Sequence, residues 1–375
     1  MIHPSIRPWV GIARLRNTAA LVALMLAGLA VSPADATPIT IDWVTVGDPG
    51  NAADTTGAPN PAGAVAASFQ IMKFEFTNAQ YKDFLNSVAA TDTYRLYNAN
   101  MGSNARGGIT RSGASGSYTY AVKSNMGDKP VNYVSWFDAA RVANWLQNGQ
   151  GSGSTETGAY TLVGGQTSGT APAANPGASY LLPTEDQWYK AAYYKGGSTN
   201  AGYWDYATQS DTAPTAVTAG STGIGSAGST GNFANYGSVA VWNSRTNMTT
   251  VGTNGGASAY GAFDMSGNMN EWNDLTGAAG VSRGFRGGDY LDLASMLSSS
   301  GRNTNAPQDE FVFVGFRLAS PVPVPEPSTH AVALTGLACG GWQMFRRRRR
   351  LCHVVGRQAA RRGIWQMTAG PPASS

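Results

Sequence analysis

Between residues 37 and 327 the sequence has no cysteine and no histidine. Both cysteines (Cys339 and Cys352) and all three histidines (His3, His330 and His353) lie in the terminal segments. Their absence excludes disulfides, thiolate nucleophiles, Cys or His metal sites and imidazole acid–base chemistry from the body of the chain. A domain without disulfides depends on a true apolar core. A body of about 280 residues can bury roughly three quarters of its unfolded surface, so the size suffices. Charge is scarce as well, at 13% of residues. Eleven of the 26 basic residues but one of the 22 acidic residues lie outside 37–327, which leaves 15 and 21, a net charge of −6. The body therefore repels phosphate despite the nominal +4 of the whole chain, and nucleic acid is excluded as a partner.

The basic residues gather at the ends. Arg7, Arg14 and Arg16 precede an apolar run from Thr18 to Val31, and Ala34-Asp35-Ala36 offers small residues for cleavage. This order predicts a signal peptide over residues 1–36 and an exported product beginning at Thr37. At the other end, residues 321–350 carry a Pro-rich stretch (Pro321 to Pro327), a marginally long apolar run (Ala331 to Phe345) and an unbroken arginine run (Arg346 to Arg350). Arginines that stop an apolar run are held on the cytoplasmic side of a membrane. A basic tail, residues 351–375, follows.

Within the body, three segments read as helices opened by a capping box. They start at Thr77-Asn-Ala-Gln80, Ser135-Trp-Phe-Asp138 and Thr184-Glu-Asp-Gln187, each followed by apolar residues at helical spacing. Asp138 is shorter than the usual Glu or Gln of this motif. The β-prone runs Phe69 to Phe76, Val131 to Val134 and Tyr180 to Leu182 lead into the three helices. Between them, Gly102 to Ser117, Asn148 to Gly177 and Thr208 to Gly231 are rich in Gly, Ser and Thr and read as surface loops. No internal period is present. Few helices, short strands and long loops predict an irregular α+β domain. Most tryptophans should be core, with Trp204 and Trp242 as an exposed pair able to stack on sugar rings.

Six phrases fall in a recognisable order: Phe69 to Tyr81, Lys129 to Trp136, Leu182 to Trp188, Gly261 to Trp272, Arg286-Gly-Gly-Asp-Tyr290 and Val314-Gly-Phe-Arg317. Together they resemble the formylglycine-generating-enzyme/sulfatase-modifying-factor (FGE-sulfatase) family over residues 37–320. The resemblance implies a loop-rich FGE-like variant of the C-type-lectin-like fold. It also implies two copper-binding cysteines after the arginine-glycine-glycine phrase, where this sequence has Asp292 and Leu297, with Asp289 in place of the family's serine. Soft Cu(I) wants thiolates, so no copper is expected, and formylglycine generation by the family's mechanism is excluded. The segment from Asp264 to Glu271 is similar to the family's calcium loop. It would supply side chains from Asp264 and Glu271 and carbonyls from Gly267 and Met269. A second calcium site would use Asn235 and the Tyr236 carbonyl. Trp272-Asn273-Asp274 resembles a phrase of sugar-binding lectins. Arg286 and Arg317 are expected to form buried, bidentate ion pairs that pin loops. At the C-terminus, Pro325-Glu326-Pro327 with its apolar run and arginines resembles a PEP-CTERM sorting signal. That implies a membrane stage and cleavage by an exosortase-type protease.

The expectation is an exported bacterial module at the cell envelope or outside it, calcium-stabilised, non-catalytic, and binding extracellular polysaccharide or a surface protein. The alternative is an enzyme with a divergent site, an atypical oxidoreductase or a carboxylate-based hydrolase. Asp289 and Asp292 would be its only positional hint.

Overall fold

The computed structural model describes residues 38–321. The predicted signal peptide, the Pro325-Glu326-Pro327 motif, the arginine run and the basic tail lie outside them. The elements run β1 (Trp43–Val46), β2 (Phe69–Met72), α1 (Asn78–Val88), α2 (Ala99–Ser103), β3 (Ile109–Ser112), β4 (Thr119–Val122), α3 (Trp136–Gln147) and α4 (Glu185–Tyr193). Two short ribbons follow, β5 (Thr215–Ala216) with β6 (Phe233–Ala234) and β7 (Val241–Trp242) with β8 (Arg245–Thr246). Then come β9 (Asn270–Asn273), β10 (Arg283–Arg286), α5 (Ala294–Leu297), β11 (Asn303–Asn305), β12 (Val314–Gly315) and β13 (Ala319–Pro321). The described residues thus form a mixture of small helices and small sheets, in line with the predicted α+β class.

Three helices begin where their capping boxes predict. Thr77, Ser135 and Thr184 each accept the N3 backbone N–H, and Gln80, Asp138 and Gln187 reach back to the cap. Asp138 does this despite its length, because Ser135 donates to its Oδ2 from both N (2.9 Å) and Oγ (2.7 Å). Helix α1 is amphipathic and turns Tyr81, Phe84 and Leu85 inward. Helix α3 is different: every residue from Trp136 to Leu146 is buried. Its alanines allow neighbouring segments to approach on all sides. The one arginine within it, Arg141, forms a bidentate pair with Glu156 at 2.7 and 2.8 Å.

Strand β2 lies between β1 and β13, both antiparallel to it, so the two ends of the domain meet in one sheet. The second sheet has the order β11-β10-β9-β12, with β12 parallel to β9. The largest cluster of buried side chains packs α1 and α3 against this second sheet through Phe84, Trp136, Trp145, Trp272 and Phe316. A second cluster packs α4 against the first sheet through Trp188, Tyr189, Ile71 and Phe69.

Several expectations need correction. The Gly102–Ser117 stretch is not loop throughout: it contains β3, which pairs with β4 in a hairpin from Ile109↔Val122 to Ser112↔Thr119. Val131 to Val134 and Tyr180 to Leu182 are not strands; they make isolated bridges at most, such as Leu181↔Ala319. Both are short runs flanked by proline, too short to complete a ladder. Pro321, assigned to the sorting segment, closes β13 opposite Phe69. An edge strand tolerates it because its missing N–H faces away from the sheet. Trp242 is buried, with its indole N–H on the Met248 carbonyl (2.8 Å), so Trp204 and Trp242 do not form an exposed pair.

Candidate functional site

Strand β9 is buried at all four residues and organises the centre of the domain. Both Glu271 and Arg317 are wholly inaccessible. Their pair is bidentate, Nε to Oε2 and Nη2 to Oε1 at 2.6 Å each, as predicted for Arg317. Trp188 of α4 donates to the same Oε2 at 2.7 Å, while Arg317 also holds the Met72 and Phe263 carbonyls at 3.0 and 2.8 Å. One ion pair thereby ties both sheets and α4 together. Arg286 departs from its expectation: Nε (2.9 Å) and Nη2 (2.8 Å) both use a single oxygen of Glu185. It spends its other donors on the Gly301 carbonyl (3.0 Å) and the Ala58 carbonyl. The bidentate partner of Glu185 is Arg302, at 2.8 Å twice, which sequence reading missed because the fork comes from a loop with no motif. Asp274, in the lectin-like phrase, accepts from Trp136 Nε1 (2.6 Å) and Tyr160 Oη (2.7 Å) and pairs with Arg283 (3.3 Å). Burial pushes its carboxyl up to about 6, against the pull of Arg283. Its oxygens hold the core and are not presented to a ligand.

Beyond β10 the chain turns through Gly287 (φ +99°) and Gly288 (φ +70°), backbone conformations that side chains disfavour. A Cβ on Gly288 would stand 2.6 Å from Leu297 Cδ1. Leu297 is fully buried at the end of α5. Asp289 Oδ1 accepts from Leu291 N (2.7 Å) and its Oδ2 from Asn270 Nδ2 (2.8 Å). Asp292 Oδ2 accepts from Asp289 N (3.0 Å) and Asn270 Nδ2 (3.3 Å). Burial pushes Asp289 up to about 7, and the neighbouring Asp292 charge adds to the rise. The structure thus brings Asp289 and Asp292 together and sends Leu297 into the core.

The two predicted calcium sites differ in fit. In the Asp264–Glu271 loop, Glu271 already spends both oxygens on Arg317. Asp264 accepts from Asn254 Nδ2 (2.9 Å) and from Gly252 N. This loop does not present the predicted donor set. Gly267 (φ +87°) instead lets the loop pack on Asn235, whose carbonyl oxygen would be 2.5 Å from a Cβ there, and Asn268 N donates to that carbonyl at 2.8 Å. Met269 is buried in a small apolar cluster. At the second site, Asn235 Oδ1 is buried without a partner, while its Nδ2 donates to Asn247 O, Thr249 Oγ1 and Asn268 Oδ1 at 3.1 Å each. That free oxygen suits a cation. The Tyr236 carbonyl accepts a long bond from Val239 N at 3.4 Å. Among the described residues no three His, Cys, Asp or Glu side chains gather in a way that could hold a metal.

Sequence reading also missed a cleft of about 670 Å³, walled by the loop around Asp92 to Asn98, the β3–β4 hairpin, the start of α3, Thr167 with Ser168, and the turn at Gln308 to Glu310. Tyr94, Tyr97 and Tyr118 line it. The Arg111 guanidinium sits between two of these rings, 4.7 Å from Tyr97 and 4.2 Å from Tyr118. Arg111 Nη1 donates to Asp92 Oδ2 at 2.9 Å, while Asp92 Oδ1 is buried with no hydrogen-bond partner. Glu310 accepts from Asn98. Burial raises Asp92 and Glu310. Burial also pushes Asp138, at the foot of the cleft, up to about 8, with the Glu310 charge adding to it. The residues come from five separate stretches of chain, so no local spacing could reveal them.

The chain belongs to the FGE-sulfatase family: the sulfatase-modifying factor enzyme 1-like domain matches residues 37–322. Among solved structures it is similar to CarF, at 24% identity over 76% of this chain and 99% of that one, with a TM-score of 0.44. It is also similar to Treponema denticola variable protein 1, at 19% identity over 78% and 100%, TM-score 0.43. A third, PvdO from Pseudomonas aeruginosa, has 19% identity over 76% and 93%, TM-score 0.37. None of the curated proteins compared with the chain matches it.

Proposed function

We propose that this protein is a non-catalytic member of the FGE-sulfatase family: an exported bacterial module that binds a glycan or a protein at the cell envelope or outside it. One observation carries the reading. At the two positions where the family binds copper, this chain has Asp292, committed to Asn270 and the Asp289 amide, and Leu297, sealed in the core. Neither can ligate Cu(I) or carry a thiol through oxidation. A carboxylate hydrolase at Asp289 and Asp292 is less well supported, since both oxygens of Asp289 and one of Asp292 are held by local backbone and Asn270. We read the chain topology as the compact C-type-lectin-like variant. Calcium, where it binds, takes Asn235 Oδ1 and the Tyr236 carbonyl. Export through residues 1–36, and an exosortase-type cut near Pro325-Glu326-Pro327 after a membrane stage, complete the proposal.

The test is a Cu(I) competition against a chelator, run beside a glycan-array and surface-protein binding screen. The reading expects no stoichiometric Cu(I) retention and saturable binding in the screen. Tight retention of one Cu(I) per chain would overturn it.

A further inference from the structure

The cleft between the Asp92–Asn98 loop and the β3–β4 hairpin shares no lining residue with the Gly287–Leu297 segment. Its volume, about 670 Å³, falls in the range of small-ligand sites. It is open to solvent and mainly polar, but it is floored by planar groups. Tyr94 and Tyr97 are half-buried, and Arg111 is held rigid by Asp92 on one side and two tyrosine rings on the others.

The chemistry of the walls narrows the occupant. An anion would meet the acidic side chains of Asp92 and Glu310, with Arg111 already paired to Asp92. A small cation would meet Arg95 and Arg111 on the same wall that carries Asp92. A metal ion lacks a gathered donor set. An apolar ligand would desolvate a mainly polar lining, the Arg111 and Glu310 side chains included, and offer it no partners. What remains is a neutral ligand with flat apolar faces and many hydroxyls. Carboxyl and guanidinium groups bond vicinal hydroxyls, and tyrosine planes stack on pyranose faces.

We propose that this cleft binds a neutral oligosaccharide, with Tyr94 and Tyr118 against sugar faces and Arg111, Asp138 and Glu310 bonded to hydroxyls. This inference deepens the reading of the protein as a binding module and rests on it. It supplies the ligand class and the place.

Isothermal titration of the full chain with cello-, manno- and chito-hexaose tests it. At least one should bind saturably. Tyr94→Ala, Tyr118→Ala and Glu310→Gln should each weaken that binding tenfold or more. Melting temperatures show which variants fold, and the isosteric Asp92→Asn keeps the shape should a tyrosine variant fail to. Asp289→Asn, outside the cleft, should leave the affinity unchanged. Binding unaltered by all folded cleft variants, or no binding of any hexaose, overturns the cleft proposal while the binding-module reading stands on its copper test. Release of reducing ends, lost in Asp138→Asn, would keep the cleft and overturn the non-catalytic reading.

Discussion

Glu271 and Arg317 are both wholly buried, so each satisfies a charge the other could not leave in water. Removing one partner strands the second, which costs about 3–5 kcal/mol where a buried pair is broken. We predict a loss of that size for Glu271→Gln in urea denaturation. By contrast, Arg302→Ala should cost no more than about 1 kcal/mol. Its side chain is one-third exposed, and Glu185 keeps Arg286. Arg317 was legible in the sequence because it stands in a recognisable phrase. Glu271 was read as a calcium ligand because its phrase fits a bent oxygen loop; only the fold reveals that Arg317 and Trp188 already occupy its oxygens.

At the scale of elements, helix starts were the most legible feature. A capping box is a local contract between residues three apart, and Thr77, Ser135 and Thr184 all fulfil it. Thr184→Ala is expected to lower stability by about 0.5–2 kcal/mol in the same denaturation experiment. Strands were less legible. The β3–β4 hairpin hid inside a Gly- and Ser-rich stretch, since its pairing partner lies outside that stretch and contributes half the pattern. Tight turns behave differently again. Gly267 sits at φ +87° against the Asn235 carbonyl. Gly267→Ala should cost about 1–2 kcal/mol from backbone conformation alone, and more from the contact, read as a lowered urea midpoint. The candidate cleft was illegible for the same reason as the hairpin: its walls come from five segments, joined only by folding.

The whole domain carries several buried carboxyls raised by burial: Asp274 to about 6, Asp289 to about 7 and Asp138 to about 8. The folded state therefore holds these protons more tightly than the unfolded chain, whose carboxyls release theirs near pH 4. Their stabilising contribution is complete below that value and is lost as pH rises through about 6, 7 and 8. Asp54, lowered in the fold, works in the opposite sense, and its contribution appears as pH rises past 4. The melting temperature should accordingly fall between pH 5 and pH 8.5. A flat or rising profile across that window would mean these carboxyls are ionised in the fold at no cost. The family membership and the lost thiols meet in one assay. The purified protein, loaded with Cu(I) under oxygen, is given a cysteine-containing sulfatase peptide, and any aldehyde is trapped with a hydrazide and read by mass spectrometry. The account predicts peptide recovered with its thiol intact or as a simple disulfide; formylglycine that accumulates catalytically would contradict it.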